Sequence, residues 1–316
     1  MNKRVLIADD IHPDAVNMMK DAGLEVVVND KISHEELKAK VPEFDALVVR
    51  SRTKVSRDII EAGKKLVLIA RSGVGLDNID LKTAEERGIA VVNSPEASSV
   101  SVAELTLGAM ISLVRKIHTA DKTTKEGKWL KKELEGQELS GKKLGIIGFG
   151  RIGQEVARRA NAFQMKISAY DVLEERRKEA EKLGVKFVGT SREALEKLLR
   201  ESDIISLHVP YLPETVHMIG SREISLIKDK AYILNLARGG LVDERVLYEA
   251  LKSGKIAGAA LDCFEQEPPS NIPFAELPNV LCTPHIGSST QEALIANSII
   301  IAQKVIDFFK KVDTKD

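Results

Sequence analysis

Three ionisable residues in the second half of the chain have the side chains needed for chemistry on a small hydroxy acid. Arg238 lies in AYILNLARGG, Glu267 in ALDCFEQEPP and His285 in NVLCTPHIGSS. A guanidinium can hold carboxylate and carbonyl oxygens with its planar donors. A histidine can take or return a hydroxyl proton, and a carboxylate can orient the ring and stabilise the imidazolium. These residue types predict proton transfer coupled to hydride transfer at C2 of a 2-hydroxy acid.

Two further polar residues follow apolar runs in the same half of the chain. His208 follows DIISL, and Asp262 follows IAGAAL. Ligands in open parallel sheets bind beyond the carboxyl ends of the strands, so all five groups are expected at one edge. Taken singly, Arg238 and Glu267 are equally consistent with solvated surface charges. A histidine at a strand end is equally consistent with a residue that caps a loop. Their common position favours the functional interpretation.

A glycine triplet of the form G-x-G-x-x-G lies in LGIIGFGRIG, at Gly148, Gly150 and Gly153. It follows a predicted strand and precedes the predicted helix RIGQEVARRANAF, where free backbone N–H groups can receive a pyrophosphate. Asp171 ends the next apolar run and can accept hydrogen bonds from both ribose hydroxyls. The alternative is an ordinary tight turn. The combination predicts NAD as the cofactor, preferred over NADP.

Short apolar runs alternate with amphipathic segments along the whole chain, which is typical of a parallel α/β fold. The series restarts in the middle of the chain, which predicts two sheets. The predicted strands are RVLIA, LEVVV, ALVVR, LVLIA and AVVN in the first series, and KLGIIG, KISAY, KFVG, DIISLHVP, AYILNLA, IAGAALD and NVLCTP in the second.

Three segments lie outside this alternation. SVAELTLGAMISLVRKIHTA is predicted to form one long helix, apolar over most of its surface and therefore buried. The polar segment DKTTKEGKWLKKELEGQELSGKK is predicted to form a surface arm or loop. A last helix is predicted from about Ser289 into IIIAQKVIDFF. Periodicity alone does not assign this last helix to either sheet.

Composition excludes several classes of function. The chain has 316 residues, with 47 Lys and Arg against 47 Asp and Glu. This balance gives no general attraction to nucleic acid or to an anionic membrane. Cys263 and Cys282 form no metal-binding spacing, so no metal site is predicted. We expect a cytoplasmic protein, because the N-terminus has no signal-peptide core and no apolar run could span a bilayer.

These motifs together resemble the D-isomer-specific 2-hydroxyacid dehydrogenase family. The segments that carry the resemblance are RSGVGLDNID, NSPEASSVSVAELTLG, GFGRIG, LNLARGGLVDE, ALDCFEQEPP and TPHIGSSTQEA. The resemblance covers essentially the whole chain and is strongest to the phosphoglycerate dehydrogenase members. It implies that Arg238, Glu267 and His285 form the catalytic triad. It also implies two Rossmann-like or flavodoxin-like domains with parallel sheets and a cleft between them.

The resemblance further implies a domain plan and a set of cofactor contacts. Residues 1–94 with 289–316 are expected to bind substrate, and residues 95–288 to bind NAD and to form a homodimer. The last helix then belongs to the substrate domain. The expected cofactor contacts are Val74, Gly148, Gly150, Arg151, Ile152, Gly153, Asp171, His208, Val209, Pro210, Leu236, Ala237, Arg238, Asp262, His285, Gly287 and Ser288.

The substrate is expected to be a phosphorylated 2-hydroxy acid, D-3-phosphoglycerate. Arg50 and Arg71 match positions that hold the substrate phosphate in such enzymes, although both could be merely solvated. The loop at Ser72, Gly73 and Val74 offers backbone N–H groups suited to a carboxylate. The alternatives are a glyoxylate or hydroxypyruvate reductase and, ranked lower, an NAD-sensing corepressor-like protein. The sequence stops soon after the last predicted helix, at FFKKVDTKD, so serine feedback through a further C-terminal domain is not expected.

Overall fold

The computed structural model describes residues 3–270 and 273–313, and the chain divides into two compact units. Unit 1 combines Met1–Ser98 with Ser288–Asp316, and unit 2 is Ser99–Gly287. The boundaries predicted after residues 94 and 288 therefore fall after residues 98 and 287. Each unit is built on its own parallel sheet, which confirms the predicted α/β class.

Unit 1 contains a five-stranded parallel sheet in the order β2-β1-β3-β4-β5, the flavodoxin-like order. Helices alternate with the strands along the chain. The elements are β1 Arg4–Ile7, α1 Pro13–Asp21, β2 Glu25–Val28, α2 His34–Lys40, β3 Ala46–Val49, α3 Arg57–Ala62, β4 Leu68–Arg71, α4 Leu81–Glu86 and β5 Ala90–Asn93.

Unit 2 contains a seven-stranded parallel sheet in the order β12-β11-β10-β9-β6-β7-β8. Chain order reverses between β9 and β6, as it does in dinucleotide-binding folds. The elements are α5 Ser99–Val114, α6 Ile117–Lys125, β6 Lys143–Ile147, α7 Arg151–Ala162, β7 Lys166–Tyr170, α8 Arg176–Lys182, β8 Lys186–Gly189, α9 Arg192–Glu201, β9 Ile204–Leu207, α10 Ser221–Leu226, β10 Ala231–Asn235, α11 Glu244–Lys252, β11 Ile256–Leu261 and β12 Val280–Cys282.

All twelve predicted apolar runs form strands, because a parallel sheet covered by helices on both faces buries every side chain of its central strands. All four residues of β3 and all four of β9 are buried. Such strands are continuously apolar instead of alternating, which is why they stand out in the sequence.

The predicted long helix is wrong in one respect, because it is broken into α5 and α6. Lys116 takes a left-handed conformation with φ of 54°. The carbonyl of Val114 accepts the N–H of Gln137 at 2.8 Å instead of continuing the helix. A Cβ at Gly136 would lie 2.6 Å from the same carbonyl oxygen, so the returning chain packs directly against the end of α5. The competing donor, the N–H of Gln137, lies far along the chain from Val114, so local periodicity carries no sign of it.

The polar segment predicted as a surface arm or loop does lie on the surface, but its start is helical. Its first five residues complete α6, which has no buried residue. The remainder is irregular and carries Trp129, whose exposed fraction is 83%. No helix in the described part of the chain is both long and apolar enough to cross a membrane.

The last helix, α12 (Gln291–Asp313), returns to unit 1 and packs against α1 and β4. Ile301, Ala302, Val305 and Phe309 on this helix are fully buried in one apolar cluster with residues of α1 and the sheet. Polar contacts add to this packing, since the Asn297 amide donates to Ser98 Oγ at 2.9 Å. The two sequence-distant parts of unit 1 thus share one core.

Candidate active site

The glycine-rich loop after β6 lies at the point of unit 2 where strand order reverses. Gly148 has a φ of 91°, a conformation that strongly favours glycine. A Cβ there would lie 2.5 Å from the carbonyl oxygen of His208, which follows β9. The loops after β6 and β9 are therefore in direct contact, at the position where doubly wound sheets bind their ligands.

The first turn of α7 can receive an anion. Gly150 is its N-cap and contributes no side-chain capping bond. A Cβ at Gly150 would have no atom within 4 Å, so the space in front of the helix is open. The first backbone N–H groups of a helix have no intrahelical acceptor, and here they include those of Arg151 and Ile152. Gly153 has no such space, because its Cβ would lie 2.2 Å from the Gly148 oxygen. The loop fits a pyrophosphate.

Asp171 follows β7 beside this loop. Its Oδ2 accepts the N–H of Phe149 at 2.7 Å, and its Oδ1 accepts the N–H of Leu173 at 2.9 Å. The half-buried carboxylate thus fixes the glycine loop, and each oxygen retains a lone pair for a further donor such as a ribose hydroxyl. Nearby, Arg177 pairs with Glu174 at 2.5 Å instead of facing Asp171.

His208 has one ring nitrogen engaged and one without a partner. Its Nε2 lies 2.8 Å from Ser206 Oγ, whereas its buried Nδ1 has no partner among the residues described. Burial lowers the pKa of His208 to about 3, so the ring is neutral at physiological pH. A neutral ring can offer a ligand a hydrogen bond without adding charge to the site.

The loop after β10 presents Arg238 and is held by Asn235, a residue that sequence reasoning missed. The buried amide of Asn235 donates to the Arg238 carbonyl at 2.8 Å and accepts from the Ala237 N–H at 3.3 Å. A Cβ at Gly239 would lie 1.9 Å from the Phe264 oxygen, so this loop touches the loop after β11. A buried polar side chain at a strand end, in LNLA, was the available signal.

Asp262, predicted among the cofactor contacts, organises the loop that carries His285. Its carboxylate is fully buried. It accepts hydrogen bonds from Thr283 Oγ1 at 2.6 Å, from Ile286 N at 2.8 Å and from Gly287 N at 2.7 Å. Three internal donors compensate for the cost of burying this charge. They hold the Thr283 side chain before His285 and the backbone of Ile286 and Gly287 after it.

His285 and Glu267 form a direct pair. The Nδ1 of His285 lies 2.8 Å from Glu267 Oε2. The other carboxylate oxygen, Oε1, accepts the N–H of Phe264 at 3.0 Å, so the carboxylate is anchored as well as paired. His285 has a φ of 54°, a left-handed conformation that its surrounding hydrogen bonds maintain. The predicted partnership of these two residues is thus present in the geometry.

The electrostatics keep Glu267 ionised. Partial burial raises its pKa, but the hydrogen bonds from His285 and from the Phe264 N–H outweigh that effect, and the positive charge of Arg238 acts in the same direction. The net result is a pKa of Glu267 below its ordinary value. An ionised carboxylate can stabilise an imidazolium at His285, and Arg238 lies close enough for its charge to be felt.

A cavity of about 570 Å³ borders this pair within unit 2. Cys282 also reaches it, and its thiol has a pKa raised to about 11 by burial and by the charge of Glu244. The thiol therefore stays protonated and is a poor nucleophile at neutral pH. The lining residues are Phe264, Glu267, Pro268, Pro269, Cys282, Thr283, Pro284 and His285.

In unit 1, two arginines follow β3 and are used differently. Arg52 pairs with the buried carboxylate of Asp9 at 3.0 Å and donates to backbone carbonyls of Ile32 and Asp30. Arg50 forms no ion pair within residues 3–270 and 273–313, and its guanidinium donates to the Asp10 carbonyl at 3.3 Å. Arg52 is thus a structural residue, and Arg50 retains a charge that an external anion can use.

The loop after β4 has fewer backbone N–H groups available to an anion than the sequence indicates. The Ser72 N–H donates to the Val49 carbonyl at 2.8 Å, and the Gly73 N–H donates to Ser94 Oγ at 2.9 Å. Two of the three predicted donors are therefore already engaged.

Other groups of the same loop remain suited to a ligand. The N–H groups of Val74 and Gly75 meet no acceptor among the residues that the structure describes. The buried Oγ of Ser72 likewise has no partner there. The guanidinium of Arg71 lies over the loop, since a Cβ at Gly73 would be 2.8 Å from its Nη1.

The remaining predicted cofactor contacts follow the same strands. Val209 and Pro210 come after β9, Leu236 and Ala237 after β10, and Gly287 closes unit 2. Val74 and Ser288 belong to unit 1. In unit 2, then, the predicted residues gather at the carboxyl edge of one sheet, around the reversal of strand order.

Comparison with known proteins agrees with this arrangement. Residues 107–287 match the NAD-binding domain of the D-isomer specific 2-hydroxyacid dehydrogenases. The chain belongs to this family. The matched segment covers almost all of unit 2, so NAD is the cofactor of that unit.

The relatives carry several names. The chain is 49% identical over 302 residues to D-3-phosphoglycerate dehydrogenase of Methanocaldococcus jannaschii, covering 96% of this chain and 56% of the relative. It is 48% identical to hydroxypyruvate reductase of Thermotoga maritima, covering 96% and 97%. The crystal structure of Aquifex aeolicus D-lactate dehydrogenase with NAD and lactic acid is 32% identical, covers 99% of this chain and 96% of its own, and has a TM-score of 0.80. The chain thus spans a little over half the length of the first relative.

Proposed function

We propose that this protein is an NAD-dependent dehydrogenase of D-2-hydroxy acids that oxidises D-3-phosphoglycerate to 3-phosphohydroxypyruvate, the step that opens serine biosynthesis. The observation that carries the proposal is the anchored His285–Glu267 pair at 2.8 Å, on the same sheet edge as Arg238 and the glycine-rich loop. The catalytic residues are then Arg238, Glu267 and His285.

His285 acts as the proton acceptor. The C2 hydroxyl loses its proton to the imidazole, and the C2 hydrogen leaves with its electron pair, so the product is a 2-oxo acid. Glu267 is ionised and hydrogen-bonded to the ring, so it stabilises the imidazolium that forms. In the reverse direction His285 returns the proton to the developing alkoxide.

Arg238 orients the acid. Its planar donors suit a carboxylate together with the C2 oxygen, and a bidentate contact fixes the rotation of the substrate. Asn235 holds the backbone of this loop, which limits the positions available to the guanidinium. The positive charge also favours the build-up of negative charge on the C2 oxygen during reduction.

NAD, when bound, accepts or supplies the hydride at its nicotinamide ring. The residues that would hold its pyrophosphate are Gly148, Gly150, Arg151 and Ile152, at the open N-terminus of α7. Asp171 would accept hydrogen bonds from the ribose hydroxyls, and it would repel a 2′-phosphate. His208 supplies a buried ring nitrogen without a partner in the described structure, suited to a polar group of the cofactor.

The substrate phosphate is assigned to unit 1. Arg50 has no ion pair among the residues described, and Arg71 lies over the loop that carries Val74. Phosphate binding by arginine is strong because several charged hydrogen bonds form at once. The carboxylate or phosphate of the substrate can also use the open N–H groups of that loop.

Reduction of hydroxypyruvate or glyoxylate is the second candidate. It is favoured by the relative of that name and by the chemistry of the triad, which is the same for phosphorylated and unphosphorylated acids. The phosphate sites of unit 1 are what distinguish the two candidates. The lower-ranked alternative remains an NAD-sensing protein without turnover.

We also propose that the protein is a cytoplasmic homodimer that associates through unit 2. Large apolar side chains on the surface of this unit support the assignment, in particular Val100, Ile117 and Trp129. Exposed fractions of 47%, 49% and 83% are costly for an isolated unit and suit an interface with a second copy. Light scattering coupled to size exclusion measures the mass directly.

A substrate panel tests the function. NADH absorbance is followed with D-3-phosphoglycerate, D-glycerate, glycolate and D-lactate, and in reverse with 3-phosphohydroxypyruvate, hydroxypyruvate and glyoxylate. We expect the highest kcat/KM for D-3-phosphoglycerate. A preference for hydroxypyruvate over its phosphorylated form would instead support the second candidate.

A further inference from the structure

The loops that carry His285 and Glu267 also bring a thiol into the site. Cys263 lies two residues beyond β11 and has an exposed fraction of 2%. One donor atom of Cys263, one of Glu267 and one of His285 all lie within 4.8 Å of one another. Within residues 3–270 and 273–313, this is the single group of three such side chains with this spacing. The proposed mechanism leaves the thiol without a role.

This donor set has the chemistry of a zinc site. Thiolate, imidazole and carboxylate are the three ligand types that Zn²⁺ takes in proteins, and a soft thiolate disfavours Mg²⁺ and Ca²⁺. Zinc bonds of about 2.0–2.3 Å in a tetrahedral arrangement place the donors roughly 3.4–3.6 Å apart. The donor atoms are now up to 4.8 Å apart, so they must move closer together by about 1 Å to bind zinc.

The surroundings permit such a shift. The side chains of His285 and Glu267 are 44% and 38% exposed, so they can turn without disturbing the core. Asp262, the nearest buried carboxylate in the sequence, is occupied by three internal donors and does not compete as a ligand. Cys263 already directs its sulfur towards this region, where it lies 3.4 Å from the Ala237 carbonyl.

We propose that Cys263, Glu267 and His285 form an inhibitory site for Zn²⁺ or another thiophilic divalent cation, with water as the fourth ligand. Binding forms metal–sulfur, metal–nitrogen and metal–oxygen bonds and releases the thiol proton to solvent. A metal-bound imidazole can carry one N–H proton at most, so it cannot become the imidazolium that the proposed reaction requires. The inhibitory effect thus rests on the proposed function, whereas the metal site itself does not.

The sequence did not indicate this site because its three donors come from two loops that follow different strands. Their spacing along the chain matches no short metal-binding pattern. Parallel pairing of β11 with β12, in which Leu261 is aligned with Cys282, brings the loops together. The site is therefore a consequence of strand order.

The test uses the full-length protein after EDTA treatment and removal of the chelator. Co²⁺ is titrated as a spectroscopic substitute for Zn²⁺, and the near-ultraviolet band of a cobalt–thiolate bond is recorded. We expect a band that saturates at one equivalent, that Zn²⁺ abolishes, and that is absent from Cys263→Val. Valine is close in size to cysteine and suits this buried position.

Cys282→Ser is the matched control, because Cys282 borders the same cavity as Glu267 and His285. It should keep the cobalt band. In assays of NADH formation, Zn²⁺ should inhibit reversibly, and Cys263→Val should raise the half-inhibitory Zn²⁺ concentration by about tenfold or more, as expected for the loss of a metal ligand.

Several results would overturn the proposal. These are the absence of a cobalt–thiolate band in the wild type, an unchanged band in Cys263→Val, and loss of the band in Cys282→Ser alone. Equal zinc inhibition of the wild type and Cys263→Val would refute the inhibitory role. Cys263→Ala serves if the valine variant fails to fold. If no 2-hydroxy acid is oxidised, the proposed function fails, and the cobalt titration still decides the metal site.

Discussion

The carboxyl edges of the two sheets differ in how their charged side chains are paired. In unit 2, Glu267 is paired with His285 and anchored by Phe264, and buried Asp262 is met by three donors. In unit 1, the guanidinium of Arg50 has no carboxylate partner within the described ranges, although that of Arg52 has one. Where charged side chains are paired with other groups of the protein, the residues that transfer a proton are held in a fixed geometry. An edge that keeps a cation available is suited to bind an anion. Unit 2 should therefore control kcat, and unit 1 should control KM.

The largest expected effect is that of His285→Asn. Loss of the proton acceptor should lower kcat by about 10²- to 10⁴-fold. The affinity for NAD should stay within about twofold of the wild-type value. The substitution removes only one contact with a neutral group, and such a contact contributes little. Steady-state rates and NAD titration by fluorescence measure the two quantities.

His217→Asn is a closely matched control. His217 lies 3.1 Å from Glu265, both side chains are about as exposed as those of the candidate pair, at 43% and 42%, and its φ is also positive at 48°. It should leave kcat nearly unchanged. Equal losses in the two variants would show that a histidine–glutamate pair in this unit has only a structural role.

Arg50→Ala and Arg71→Ala test the other side of the comparison. Each should raise KM for D-3-phosphoglycerate by about 10- to 100-fold, as expected for charge-assisted hydrogen bonds. KM for an unphosphorylated acid, and kcat for both, should change by less than about threefold. Arg57→Ala, which removes an exposed arginine paired with Glu61, is the control. Similar changes with both substrates would contradict a phosphate role.

Asp171→Ala should weaken NAD binding by about tenfold through the loss of a charged acceptor. It should also reduce the discrimination against NADP. Asp203→Ala is a suitable comparison, because Asp203 also accepts a backbone N–H, that of Lys143 at 2.8 Å, at the opposite end of β6. If both variants weaken NAD equally, Asp171 acts by holding the fold and not by contacting ribose.

The smallest expected effect concerns acid stability. The folded state lowers the pKa of Glu267 from its ordinary value of 4.5, so its contribution to stability is present above that pH and is lost as the pH falls below it. The difference in Tm between wild type and Glu267→Gln should therefore be larger at pH 5 than at pH 3. Calorimetry measures both. A Tm difference that grows as the pH falls would contradict the assigned direction of the Glu267 pKa shift.

The sequence predicts the strands well, for a physical reason. Central strands of a parallel sheet are continuously apolar, and the polar residue after each one lies at the ligand edge. Arg238, Glu267 and His285 stand out because they follow predicted strands, whereas their assignment as a triad comes from the family resemblance. The hydrogen bonds of Asn235 and Asp262 are not predictable from the sequence, because their backbone partners come near only in the folded loops.

Local pattern is insufficient where tertiary contacts compete with it. The helix predicted through Lys116 is broken because the returning chain takes the Val114 carbonyl. The N–H groups of Ser72 and Gly73 are engaged by Val49 and Ser94, which lie on neighbouring strands or just beyond them. Periodicity and spacing carry no information about such partners.

The most direct test of the central claim is NADH formation by the wild-type protein from the two enantiomers of one 2-hydroxy acid. With the best substrate of the panel, the D form should yield NADH at a measurable steady-state rate and the L form essentially none. NAD that binds tightly without NADH formation from any D-2-hydroxy acid would contradict the account and would favour an NAD-sensing protein instead.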